Sequence, residues 1–212
     1  MEAQRFRATT PQDHDVRYLY HRPDGLAEPM PLVLFLHGSG ERGDDLDLVR
    51  VHGPAKQASD GTALPFALAA PQCPAGSWWH WQEEALIGLL DELLATQPID
   101  PDRVYLTGLS MGGIGTWDLA ARYSDRFAAI APICGWAGPW MAGLLKDMPI
   151  WAFHNADDEA VAVDGTTRIA AAIEAAGGTI RTTINPTGGH NAWTAAYDDP
   201  ELYEWLLAQR RR

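Results

Sequence analysis

Short runs that are apolar throughout, rather than alternating with polar residues, most constrain what this chain can form. Seven segments read as strands, at 16–21, 32–37, 66–70, 103–107, 127–132, 150–154 and 179–185. Several lack a polar face, which suits strands covered on both sides in a parallel sheet. Between them lie helical patterns. The segment 83–95 puts Leu86, Leu89, Leu90, Leu93 and Leu94 on one stripe, and 112–123 follows a strand directly. The alanine-rich 166–176 stops at Gly177-Gly178, and 199–209 opens with Pro200, suited to a first helical turn. Strand and helix thus alternate, which predicts a doubly wound, mostly parallel sheet with helices on both faces. In such sheets, ligands bind beyond the carboxyl ends of the strands. Residues just after each strand are therefore the functional candidates.

The 212 residues suit a single domain over 1–212 with a sizeable core. Apolar residues make up 46% and charged ones 21%, the balance of an ordinary globular protein. The longest apolar runs, such as 31–36 and 127–133, fall well short of the ~18 residues that a membrane span needs. No apolar stretch follows Met1-Glu2-Ala3-Gln4-Arg5, so a cytoplasmic location is expected. The net charge of −12 argues against nucleic acid and anionic membranes as partners. Cys73 and Cys134 have neither disulfide-framework nor metal-ligand spacing, and no metal or organic cofactor is expected. The run Arg210-Arg211-Arg212 reads as a solvated tail. The sequence leaves oligomeric state open.

After the strand at 103–107 comes Gly108-Leu109-Ser110-Met111-Gly112-Gly113, then a helix. G-x-S-x-G gains meaning in this strand–turn–helix setting. A sharp turn lifts the serine hydroxyl above the sheet, and small neighbours let strand and helix approach. The plainer reading is a glycine-rich turn whose serine only caps the helix. A serine nucleophile needs a base, usually histidine, oriented by a carboxylate. Downstream of Ser110 there are two histidines. His190 sits in the glycine-flanked loop Gly188-Gly189-His190-Asn191 after the last strand. His154 ends a strand and reads as structural. The acid belongs after the strand at 150–154, where Asp157, Asp158 and Glu159 are adjacent, and position alone leaves the choice among them open. After the strand at 32–37, Gly38-Ser39-Gly40-Glu41-Arg42-Gly43 can offer a backbone N–H to a developing oxyanion. Ser39 is the first candidate there and Gly40 the second, with the N–H of Met111 as the other donor. A phosphate-binding loop is the alternative for this stretch, but no Gly-Lys-Ser/Thr follows. Glu41 and Arg42 are placed to pair with each other or to be solvated.

These motifs resemble those of a known group: His37-Gly38-Ser39-Gly40-Glu41-Arg42-Gly43, Ala70-Pro71-Gln72-Cys73-Pro74, the Ser110 turn, and Gly189-His190-Asn191-Ala192-Trp193 through to Leu207. The chain is similar to the small, capless α/β-hydrolases: carboxylesterases, phospholipase/carboxylesterase-like proteins and dienelactone-hydrolase relatives. The motifs recur in the right order over nearly the whole chain. The resemblance implies an α/β-hydrolase fold and a serine esterase that works through an acyl-enzyme. Fewer than 20 residues separate the strand ending near Pro132 from the one starting at Ile150, too few for a large lid, so an open site for small acyl or aromatic esters is expected. That group's acid strand reads F-H-G-x-x-D-x-x-V-P. Laid on Phe153 and His154, it puts the acid on Asp158, with Val161 in register. Asn155 stands where the glycine would be, and Ala162 where the proline would be. Cysteine serves as nucleophile in dienelactone hydrolase itself, so that specific activity is not implied. Acyl thioesterase, peptidase or ligand-binding activity on the same fold are the alternatives.

The chain has nine tryptophans. Trp78, Trp79, Trp81, Trp136, Trp140 and Trp193 all fall in loops after strands, next to the candidate triad. They read either as an apolar substrate wall or as packing residues. Trp117, on the helix behind Ser110, reads as core.

Overall fold

The computed structural model describes residues 1–8 and 14–211. Eight strands form one sheet: β1 (Glu2–Ala8), β2 (His14–His21), β3 (Met30–Leu36), β4 (Ala67–Pro71), β5 (Ile99–Leu109), β6 (Ala129–Ile133), β7 (Trp151–Asn155) and β8 (Arg181–Asn185). Their spatial order is β1-β2-β4-β3-β5-β6-β7-β8. β2 pairs antiparallel with both β1 and β4, and every later pairing is parallel. The sheet contains all seven strands expected from the sequence. It adds β1, whose Glu-Ala-Gln-Arg-Phe-Arg-Ala lacks an apolar run because it lies at the edge.

β3, β4, β6 and β7 are buried along their whole length. Side chains alternate between two cores. Leu32, Leu34 and Leu36 face one core with α2 (Glu83–Thr96), α3 (Met111–Arg122), α4 (Ala142–Leu145) and α5 (Asp164–Ala175). Val33 and Phe35 face the other, with α1 (Gly53–Ser59), α6 (Trp193–Asp198) and α7 (Pro200–Leu207). The Asp199 carboxylate accepts from the Glu201 N–H and so starts α7. β8 closes the other edge and is largely exposed, unlike the strands inside.

From 134 to 150 the chain carries only a short 3-10 turn, Pro139–Met141, and the single-turn α4, so no large lid covers the sheet. No described helix is long and apolar enough to cross a membrane. The basic C-terminal run is not a free tail. Arg210 pairs with Asp100 and Arg211 with Asp102, and Arg211 Nη1 donates to the Asp125 carbonyl. Arg212 lies outside the described residues.

Candidate active site

The turn between β5 and α3 is enforced by close packing. Ser110 has φ 54° and ψ −116°, a left-handed backbone that costs a non-glycine residue about 1–3 kcal/mol. Its N–H donates to Ile133 O at 2.9 Å and its carbonyl accepts from Ile114 N at 2.9 Å, so β6 and α3 hold it there. The neighbouring glycines leave no room for a side chain. A Cβ on Gly112 would lie 1.9 Å from Leu36 O, and one on Gly108 would lie 2.4 Å from Gly112 O. The hydroxyl therefore stands at the carboxyl edge of the sheet, at the N-terminus of α3.

His190 and Asp158 complete a continuous chain of contacts. His190 Nε2 is 2.8 Å from Ser110 Oγ, and His190 Nδ1 is 2.7 Å from Asp158 Oδ2. A carboxylate only accepts, so Nδ1 carries the proton and Nε2 is free to accept from the serine. Asp158 Oδ1 accepts from the N–H groups of Ala160 and Val161, both at 2.9 Å. Burial alone would raise this carboxyl's pKa. The hydrogen bond from His190 and the two backbone donors outweigh burial and lower it. Asp158 therefore stays ionised and can stabilise a cationic imidazole. His154, fully buried on β7, lies against the same carboxylate, with Nε2 3.3 Å from Asp158 Oδ2 and 2.9 Å from Val161 O. Its Nδ1 is 2.8 Å from Thr166 Oγ1. It braces the acid loop.

The adjacent acid does something different. The Asp157 carboxylate accepts from Gly189 N at 2.8 Å and Gly188 N at 3.2 Å, and so holds the loop that carries His190. Asn155 holds the same loop from its other side. Its Nδ2 donates to Gly189 O at 2.9 Å, while its Oδ1 accepts from Asn185 Nδ2 at 3.0 Å. The departure from glycine at this position thus has a structural consequence: a side-chain bridge from β7 and β8 to the loop before His190. Nothing in the sequence near Asn155 signals this, because its partners lie about 30 residues away.

The loop after β3 forms the 3-10 turn Ser39–Glu41. Among the described residues, the N–H groups of Ser39 and Met111 make no hydrogen bond, so both are available to an incoming oxygen. Gly38 packs so close to Leu109 and Ser110 that its own Cβ would fall 2.9 Å from Leu109 Cδ1. Arg42 does not pair with Glu41. Its Nε donates to Ser39 O at 2.9 Å and its Nη1 to Ser77 O at 3.1 Å, and it lies 5.7 Å over the Trp78 ring. Glu41 turns inward between His37 and His52. His37 Nε2 accepts from Cys73 N at 3.0 Å and Nδ1 donates to Gly38 O at 2.6 Å. Burial pushes its pKa down to about 4, so it is a neutral structural residue beneath the loop.

The tryptophans divide. Trp79 is a correction to the substrate-wall reading. It is 2% exposed, its Nε1 donates to His37 O, and Gly115 is small enough to admit its Cβ. Trp117 is core, as expected. Trp193 is half-buried with its ring edge-on to His190 at 5.4 Å, so it backs the imidazole. Trp78, Trp81, Trp136 and Trp140 remain exposed. Cys73 and Cys134 are free and buried, with burial raising their thiols to about 11 and about 12. Neither is a nucleophile at neutral pH. Among the described residues, no cluster of three His, Cys, Asp or Glu side chains could hold a metal.

No family model matches the chain. The crystal structure of a thermostable esterase superposes with a TM-score of 0.86 at 32% identity, over 99% of this chain and 63% of that one. This chain has the α/β-hydrolase fold. Poly(3-hydroxyalkanoate) depolymerase C of Paucimonas lemoignei is 35% identical to this chain over 139 residues, 57% of this chain and 31% of that protein. The bifunctional acetylxylan esterase/xylanase XynS20E of Neocallimastix patriciarum is 29% identical over 147 residues, 66% of this chain and 21% of that protein. The chain thus spans about a third or less of these two relatives, and less than two thirds of the esterase.

Proposed function

We propose that this chain cleaves carboxylic esters of small acyl groups, with Ser110, His190 and Asp158 as its catalytic triad. The observation that carries this reading is the unbroken path from Ser110 Oγ through His190 to Asp158, at 2.8 and 2.7 Å. The esterases and the depolymerase among its relatives support it. Ser110 Oγ attacks the carbonyl carbon while its proton passes to His190 Nε2. The carbonyl π electrons move to oxygen, which accepts from the N–H groups of Ser39 and Met111. When the intermediate collapses, the C–O bond to the leaving alcohol breaks and His190 returns the proton to it. Water then attacks the acyl-serine, giving its proton to His190. The acid leaves, and the proton returns to Ser110. Asp158 holds the imidazole's tautomer and balances its transient charge.

The short segment after β6 leaves little chain from which to build a tunnel for a long acyl group. A buried methylene contributes about 0.8 kcal/mol, and one without a pocket contributes nothing. Across a nitrophenyl ester series kept below micelle concentrations, kcat/KM should peak at acetyl to butyryl and fall beyond about eight carbons. Ser110→Ala should lose several orders of magnitude of turnover while keeping its fold. A maximum at palmitoyl would defeat the short-acyl reading, and wild-type turnover by Ser110→Ala would defeat the mechanism.

A further inference from the structure

Almost all of α3 is buried, except one stripe that begins beside the nucleophile. Ile114, Asp118 and Arg122 follow Ser110 at successive four-residue steps, so they share its face. Ile114 and Asp118 are half-buried and Arg122 is exposed, whereas the residues between them are almost all enclosed. At ~1.5 Å per residue the stripe runs ~12 Å from Ser110 to Asp118 and ~18 Å to Arg122. Two aromatic loops reach its Asp118 end: the 3-10 turn Trp79–Trp81 after β4, through His80, and the segment through Pro139–Met141 after β6, through Trp140 and Met141. Between them, at the Asp118 end, opens a cleft of about 420 Å³ lined by His80, Glu83, Asp118, Arg122, Trp140 and Met141, among others.

The exposed aromatic surface belongs to these same loops. Trp140 is 73% exposed and Trp81 59%, and Trp78 and Trp136 are also open to solvent. Trp136 and Trp140 pack edge to face at 5.8 Å, and Trp136 is seated on Gly165, so this platform is braced from behind. Braced, exposed indoles beside a cleft mark a binding surface. Its polar groups narrow the ligand. Glu83 is ion-paired with Arg122 at 2.9 Å, so the cleft does not present two bare carboxylates to a cation. Asp118 is held in a partly desolvated position, and burial raises its pKa. An aliphatic polyester offers no donor to the partly desolvated Asp118, and a polyanion would meet a chain of net charge −12. A neutral sugar ring satisfies both halves of the cleft. Its C–H face lies on an indole, and its hydroxyls both donate to carboxylates and accept from arginine and histidine.

We propose that the stripe from Ser110 to the Trp140–Asp118 cleft binds the carbohydrate portion of an acylated, neutral saccharide. The acyl ester would then be presented to Ser110 while neighbouring sugar units occupy the cleft. The proposal rests on the esterase reading for the chemistry at Ser110 but not for sugar binding, and the two are tested apart. Acetylated cello-oligosaccharides and nitrophenyl acetate are compared as substrates of the wild type, Trp140→Ala and Asp118→Asn. The deacetylated oligosaccharide is titrated against each protein by tryptophan fluorescence. The expected result is saccharide binding by the wild type. Each variant should then lose about tenfold or more in kcat/KM on the oligosaccharide ester, the loss of one stacked ring or one hydrogen-bonded anchor, with nitrophenyl acetate unaffected. Wild-type protein that neither binds the deacetylated oligosaccharide nor prefers its ester overturns the proposal and leaves the esterase reading standing. So does a preference for a cationic ester such as acetylcholine that Trp140→Ala abolishes. Saccharide binding lost in Trp140→Ala, in a protein that turns over no ester, overturns the esterase reading and keeps the sugar site.

Discussion

Asn155→Gly restores the residue found in the related F-H-G-x-x-D pattern, and the structure predicts that it harms this chain. Asn155 is buried at the end of β7, and its carboxamide makes two hydrogen bonds, to Gly189 O at 2.9 Å and from Asn185 Nδ2 at 3.0 Å. The fit is close: a Cβ on Gly188 would lie 2.5 Å from Asn155 Nδ2. Removing the carboxamide forfeits two bonds at about 1 kcal/mol each, and a glycine in a strand adds roughly 0.5–1 kcal/mol. The sum, about 2–3 kcal/mol, lowers Tm by roughly 5–10 °C for a chain of this length. Asp157 still grips the N–H groups of Gly188 and Gly189, so the loop shifts rather than detaches. A shift of about 1 Å at the base costs on the order of 100-fold. Steady-state kinetics on nitrophenyl acetate at a temperature where both proteins are folded should show kcat reduced about 10- to 100-fold and KM changed less than about 3-fold. Asn155→Asp keeps the acceptor for Asn185 but cannot donate to Gly189 O, and it should fall between the two. An Asn155→Gly protein with wild-type kcat would refute the idea that this bridge places His190.

Two further perturbations test the scaffold. Gly112→Ala drives a methyl to 1.9 Å from Leu36 O, where only backbone can yield, so we expect more than about 4 kcal/mol lost and no folded, active enzyme, whereas Gly40→Ala, which meets open space, should behave as wild type. A native melting curve for Gly112→Ala would contradict the close approach of α3 to β3. Asp100 binds Arg103, Arg210 and the Asp102 N–H, and although burial works against it, these contacts hold its pKa below 3.8. A depressed carboxylate stabilises the fold fully above the unfolded value of 3.8, and that contribution disappears as pH falls through the folded value. Asp100→Asn should therefore be less stable than wild type by about 1–2 kcal/mol near neutral pH. The gap in urea midpoint should close as the pH drops below 3.8, and a gap that widened on acidification would reverse the assigned sign.

The candidate triad was legible as a cluster because each member follows a strand and the order Ser110, Asp158, His190 is the order in which the sheet brings strand ends together. Position alone did not separate Asp158 from Asp157. The borrowed motif register selected Asp158, and the geometry gives the reason, since one carboxylate faces the His190 ring and the other faces the backbone before it. The substrate-wall alternative failed for Trp79, which sequence could not separate from Trp78 and Trp81 because a tight turn, not periodicity, decides which of three nearby indoles points inward. β1 was invisible because an edge strand needs no apolar run, and α1, α4 and α6 are too short to show a helical period. Asn155 reaches the Gly189 carbonyl and Arg42 the Ser77 carbonyl, both far along the chain, and such contacts leave no trace in local sequence.

The central claim is that Ser110 becomes acylated. The direct measurement is mass spectrometry of the protein quenched in acid during turnover of nitrophenyl acetate, followed by peptide mapping. One acetyl group on the peptide bearing Ser110, absent from Ser110→Ala and accumulating in His190→Ala only far more slowly, is the result expected. Turnover with no acyl-enzyme at any quench time, or an acetyl group carried by Cys73 or Cys134 instead, would contradict the account.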